Sequence, residues 1–224
     1  ICMGELWQKR LLVGGFEKIF ELGRAFRNEG VDHQHNPEFT MIEYYWAFAD
    51  SKENAKFHEK LIPFVVQNSI GKLEVEIDGK KINFTPPYAR ISFHDAVLKH
   101  SGIDINDYPD VDSLKKIMIE KGYDPGNLTE RGKIIDNLYK QSTRPKIIQP
   151  TFVTDYPIEL KPLAKKAADP RYTEMFQLIV NGFELSNSYT ELNDPIDQRQ
   201  RFEEQAKNKS QGDEEAMEND WDFV

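Results

Sequence analysis

The sequence predicts an α+β fold, an antiparallel sheet with helices packed against it. Three observations carry this. Strand-like segments come in adjacent pairs instead of alternating one for one with helices. The pairs at 73–84 and 175–192 are joined through Asp78-Gly79 and Asn181-Gly182, dipeptides suited to tight hairpin turns. Helix-like segments carry capping residues, with Asp50 and Ser51 before one and Asp194-Pro195 opening another.

Taken in order, residues 16–27 read as a strand, because Phe20, Leu22 and Phe26 alternate with Glu21 and Arg27. The polar stretch 28–36 reads as a loop. Residues 38–49 read as a second strand. Ile42, Tyr44, Trp46 and Phe48 share one face, and Phe39, Met41, Glu43, Tyr45 and Ala47 share the other. A helix of about 16–20 residues follows Asp50, with Pro63 expected to kink or break it. Leu73, Val75 and Ile77, then Ile82 and Phe84, form the first hairpin. Helices are expected near 93–100, 111–121 and 128–140, and a strand near 147–153. The second antiparallel pair spans 175–181 and 184–192, and the helix from Pro195 runs past Phe202.

Composition bounds the function. The 224 residues, 39% apolar and 12% aromatic, are enough for one globular domain with a sizeable core. Cys2 is the only cysteine, which excludes a disulfide framework and fits a reducing compartment. The five histidines lack zinc-site spacing. No apolar run reaches the roughly 18–20 residues a membrane span needs, and the first residues do not read as a signal peptide. The start at Ile1 suggests a fragment. A net charge of −9 argues against a strongly basic nucleic-acid surface. Much of that charge sits in Gly212-Asp213-Glu214-Glu215, Glu218, Asp220 and Asp222, read as a solvated helix or tail.

Two strands carry unusual faces. Phe39, Glu43 and Tyr45 share parity on one, and Asn187, Tyr189 and Glu191 share parity on the other. Carboxylates among aromatics are costly to bury without a partner. Two readings remain open on these residues alone. The faces are solvated or paired with lysine and arginine elsewhere, or they line a pocket for a cationic ligand with an aliphatic stem, such as lysine. Arg27 ends the preceding strand, and its fork suits carboxylate or phosphate oxygens. His35 and Asn36 stand in the adjoining loop.

The run Phe26-Arg27-Asn28-Glu29-Gly30, then His35-Asn36-Pro37-Glu38-Phe39-Thr40-Met41-Ile42-Glu43-Tyr44-Tyr45, resembles motif 2 of class II lysyl-tRNA synthetases. Glu5-Leu6 with Lys9-Arg10-Leu11 and Val13-Gly14-Gly15-Phe16 is similar to the segment preceding that motif. Gln149 to Phe152, Tyr156-Pro157, Pro162 to Ala164, Gly182 to Asp194, and Gln198 to Gln205 with Gly212-Asp213 are similar to the family's later segments. The likeness spans the chain and is thinnest over 71–145.

The resemblance implies a class II catalytic sheet flanked by helices, incomplete here. Residues 1–224 would be part of one catalytic domain with a helical and hairpin insertion about 71–145, without the N-terminal anticodon-binding OB-fold and without motifs 1 and 3. It implies activation of L-lysine by ATP and transfer to tRNA(Lys), with Mg2+, in a cytoplasmic homodimer that has no membrane association. Arg27 would bridge the amino-acid carboxylate and the α-phosphate, and Phe39 would stack on adenine. Glu29, His35 and Asn36 would contact the nucleotide. Glu5 would hold the substrate α-amino group, and Glu43, Tyr45 and Glu191 would receive the ε-ammonium beside Asn187 and Tyr189. Glu184 would meet magnesium and phosphate. It has the opposite parity from Asn187, so a bulge or twist is required for both to serve one site. Gln177 stands where the family has a second magnesium-binding glutamate. Two rivals accompany this reading, a paralogue that lysylates a protein and a binding-only remnant. A substrate with a carboxylate side chain would be repelled by Glu43 and Glu191.

Overall fold

The computed structural model describes residues 4–27, 31 and 35–210, so Glu29 and the acidic run from Gly212 lie outside the described residues. The chain forms two compact units, one on Ile1–Ala49 and the other on Asp50–Asp222.

The first unit is a helix and a hairpin. Helix α1, Glu5–Val13, was not foreseen, because its charged residues interrupt the apolar pattern. Local charge supports it. Glu5 lies in the first turn and Arg10 in the last, and Lys9 pairs with Glu5 at 2.9 Å across one turn. Strands β1, Lys18–Phe26, and β2, Glu38–Trp46, pair antiparallel, each slightly shorter than expected. The register sets Ile19 opposite Tyr45, Glu21 opposite Glu43, and Ala25 opposite Phe39. These residues share one face. The other face carries Phe20, Leu22 and Phe26, which are 71%, 63% and 69% exposed.

The second unit opens with helix α2, Ser51–Ile70, capped by the Asp50 carboxylate, which accepts from the Glu53 N–H at 2.8 Å. The helix runs unbroken through Pro63, against expectation. A proline removes one intrahelical hydrogen bond, and packing of Ala55, Ile62 and Val66 on the sheet core offsets that loss. Strands β3, Glu74–Ile77, and β4, Lys80–Asn83, form the first hairpin. Asp78 and Gly79 both have positive φ, as a type I′ turn requires.

Strand β5, Ala89–Ser92, was not foreseen. At four residues it is too short to show a period. It pairs parallel with β6, Thr151–Thr154, so the main sheet is mixed and not purely antiparallel. Parallel neighbours need a long crossover. Helices α3, Phe93–Ser101, α4, Val111–Glu120, and α5, Arg131–Ser142, supply it. Strands β7, Met175–Val180, and β8, Phe183–Tyr189, complete the order β5-β6-β7-β8.

The sheet divides two cores. Met175, Ile179 and Val153 pack with Phe93, Leu138, Tyr139 and Tyr156 on the side of α3 to α5. Phe152, Phe176, Leu178 and Val180 pack with Ala55, Ile82 and Tyr88 on the other side. Helix α6, Pro195–Ser210, begins at Asp194, whose side chain accepts from the Ile196 and Asp197 N–H groups. Its buried Arg201 donates to the Lys161, Pro162 and Ala164 carbonyls at 3.3, 3.3 and 2.7 Å, and pairs with Asp197. Among the described residues no helix is long and apolar enough to cross a membrane.

Phe152 is fully buried, with its ring 4.9 Å from Phe176 and 5.8 Å from Tyr88. Phe152→Ala is expected to destabilise the fold by about 3–5 kcal/mol, read as a lowered midpoint in urea denaturation.

Candidate functional site

On the first unit two of the expected residues, Glu5 and Tyr45, gather around Glu43. The Tyr45 hydroxyl donates to Glu43 Oε1 at 2.6 Å. Glu43 Oε2 is buried and has no hydrogen-bond partner among the described residues. Burial raises the Glu43 carboxyl above its ordinary 4.5. The Tyr45 hydrogen bond lowers it, Glu5 raises it, Lys9 lowers it, and Glu21 raises it. Three carboxylates thus surround one ammonium. The Lys9 ammonium is already paired with Glu5 and lies 5.8 Å from the Tyr45 ring centroid. Glu21 and Glu43 are direct cross-strand partners, an arrangement of like charges that destabilises a hairpin. A buried acceptor in an acidic cluster is suited to an incoming ammonium group.

Arg27 follows β1, and its N–H donates to the Pro37 carbonyl at 2.9 Å. Its guanidinium carbon lies 5.4 Å from the Phe39 ring centroid. The structure therefore puts the expected phosphate-binding and base-stacking side chains next to each other. His35 and Asn36 are exposed on the stretch leading into β2. Glu5, Glu43 and Tyr45 gather at the α1 and β2 end of the hairpin face, and Phe39 and Arg27 lie further along it.

On the second unit, β7 and β8 carry the remaining residues. Gln177 pairs with Asn187 and Leu178 with Ser186, but Ile179 pairs with Glu184. Leu185 is therefore an extra residue, a β-bulge. It restores Glu184 to the face of Asn187, Tyr189 and Gln177, as the parity conflict required. Glu191 lies beyond the end of β8 instead of on it, so the expected strand to 192 is too long. Its backbone forms an isolated bridge with Ala164.

Sequence reasoning missed Lys9, Glu21, Tyr156 and Lys161. Only the hairpin register would have revealed Glu21, and nothing local marks Lys161. The Tyr156 hydroxyl donates to Gln177 Oε1 at 2.6 Å. The Lys161 ammonium lies 5.4 Å from the Tyr156 ring centroid. Burial lowers Lys161 from the usual lysine range, the Glu184 and Asp136 carboxylates raise it, and Lys140 lowers it. A two-carboxylate magnesium site does not fit these residues. Glu184 is a single acid, the Gln177 carbonyl oxygen already accepts from Tyr156, and a lysine stands beside them. Among the described residues no group of three or more histidine, cysteine, aspartate and glutamate side chains could hold a metal ion.

A family model described as tRNA synthetases class II (D, K and N) matches residues 3–224. The chain is similar to the lysine–tRNA ligase of Thermotoga maritima, 47% identical over 98% of this chain and 43% of that protein. It is 44% identical to the lysine–tRNA ligase of Porphyromonas gingivalis, over 98% of this chain and 38% of that protein. It is 43% identical to the lysine–tRNA ligase of Moorella thermoacetica, over 98% and 45%. The chain thus spans less than half the length of these curated relatives.

The raised Glu43 carboxyl has a consequence for stability. The stability linked to its proton is fully present below 4.5 and is lost as pH rises through the higher folded value. Glu43→Gln is expected to match the parent in acid and to exceed it at pH 7 by less than about 1 kcal/mol after solvent screening. Thermal melts at the two pH values check this, and equal shifts at both would refute it.

Proposed function

The chain belongs to the class II tRNA synthetases (D, K and N), and from that premise we propose that the protein carrying it is a lysine–tRNA ligase. The observation that carries the choice of lysine is Glu43, whose buried, unpartnered oxygen sits with Tyr45, Glu5 and Glu21. A neutral or acidic substrate side chain would leave that carboxylate unanswered or would repel it. The names of the relatives support the same choice.

In the proposed reaction, a lysine carboxylate oxygen attacks the α-phosphorus of ATP, and the bond to pyrophosphate breaks in line. The nucleotide arrives as its magnesium chelate. Arg27 neutralises charge on the carboxylate and α-phosphate, and Phe39 stacks on the adenine. His35, Asn36 and Glu29 contact the nucleotide. Glu5 holds the α-amino group. Glu43, Tyr45 and Glu191 hold the ε-ammonium, with Asn187 and Tyr189 beside it, and Glu184 faces the phosphates. No side chain acts as nucleophile, so rate comes from positioning and charge neutralisation. The lysyl group then passes from the adenylate to the terminal ribose hydroxyl of tRNA(Lys), and AMP leaves. A cytoplasmic homodimer is proposed with this activity.

The test is lysine-dependent ATP–pyrophosphate exchange by the full-length protein. Exchange with lysine and not with asparagine or aspartate is expected. In that protein, Glu43→Gln should weaken lysine by about 10–100-fold, the loss of a charge-assisted hydrogen bond, with ATP affinity nearly unchanged. Equal loss of both would remove Glu43 from its role.

A further inference from the structure

We propose that the Lys161 ammonium is a resident cation on the phosphate-facing side of β7 and β8, taking the place of a second divalent ion beside Glu184. The inference rests on the reading of that face as the ATP site, and it specifies what neutralises phosphate there.

Five residues define the place. Tyr156 holds Gln177 through the 2.6 Å hydrogen bond. Gln177 lies opposite Asn187, and the bulge at Leu185 brings Glu184 to the same face. Lys161 stands 5.4 Å from the Tyr156 ring centroid, within the electrostatic reach of Glu184 and Asp136. No ion pair closes between Lys161 and Glu184 among the described residues, so the ammonium keeps donors for a ligand oxygen.

The backbone that carries this side chain is held at both its N–H and its carbonyl. The Lys161 N–H donates to the Ile158 carbonyl at 3.2 Å. The Lys161 carbonyl accepts from Arg201, which also holds Pro162 and Ala164. With the Tyr156 ring beside its ammonium, Lys161 presents a point charge of the kind that binds phosphate.

Charge arithmetic then decides what the site can recruit. Two acids would present −2 and attract a divalent ion. Glu184 with neutral Gln177 presents −1, and Lys161 adds +1, for a sum of 0. The difference from the two-acid site is two units, the charge of one divalent ion. Magnesium demands oxygen ligands at short range and gives up its water reluctantly, so a neutral amide beside an ammonium is a poor place to recruit it.

The experiment uses the full-length protein with Mn2+ as probe and a non-hydrolysable ATP analogue. Bound Mn2+ per site is counted by electron paramagnetic resonance, and analogue affinity is measured in parallel. The double variant Lys161→Ser with Gln177→Glu is expected to bind one more Mn2+ per site than the parent. Lys161→Arg is expected to keep the parent count, and thermal melts report folding of each variant. Lys161→Met alone is expected to raise the Mg2+ concentration for half-maximal analogue binding about tenfold, through loss of a nearby charge. Unchanged Mn2+ counts with intact analogue binding overturn the inference alone. Failure of the parent to bind the analogue overturns the ATP reading and the inference with it.

Discussion

The extra residue at Leu185 sets which side chains of β8 act together. After it, Ser186 and Ser188 point toward α2, where Asn54 donates to the Ser188 hydroxyl at 2.6 Å. Without the bulge, Glu184 would share that side with them. With it, Glu184 joins Asn187 and Tyr189. The turn before it keeps the register from sliding. Asn181 and Gly182 have positive φ. Their N–H groups donate to the Ile148 and Ile147 carbonyls at 2.9 and 2.8 Å, and Arg144 donates to the Gly182 carbonyl at 3.0 Å. A Cβ on Gly182 would lie 3.3 Å from Arg144 O and Pro145 Cα, and the positive φ there favours glycine in any case. A one-residue slip would break all three hydrogen bonds, and this fixes the parity of the face.

The two units handle charge differently. In the first, acid exceeds base around Glu43, and opposed carboxylates on β1 and β2 work against the hairpin. Strain of this kind persists where a ligand relieves it. In the second, an acid, an amide and an ammonium balance around Tyr156. The first arrangement suits a cation, and the second suits an anion that brings part of its own counter-charge.

Much of the architecture was legible because it rests on local rules. The Asp78-Gly79 and Asn181-Gly182 turns, the Asp50 and Asp194 caps and the hairpin faces follow from backbone sterics and side-chain period. The elements that escaped rely on context. Strand β5 is too short for a pattern and exists because β6 accepts it across a three-helix crossover. Pro63 persists in α2 because tertiary packing outweighs one lost hydrogen bond. At the site, Phe39, Glu43 and Tyr45 were readable from parity within one strand. Glu21 was not, since it depends on register between strands. Lys161 was not, since a loop lysine carries no periodic mark.

Arg201 has a consequence for how the chain is made. It holds three carbonyls in the stretch that carries Lys161, and it comes 40 residues later in sequence than Lys161 itself. A ribosome therefore delivers β6, β7 and β8 before it delivers the side chain that secures the Lys161 loop. The loop is complete only when Arg201 arrives, after the sheet it borders has been synthesised.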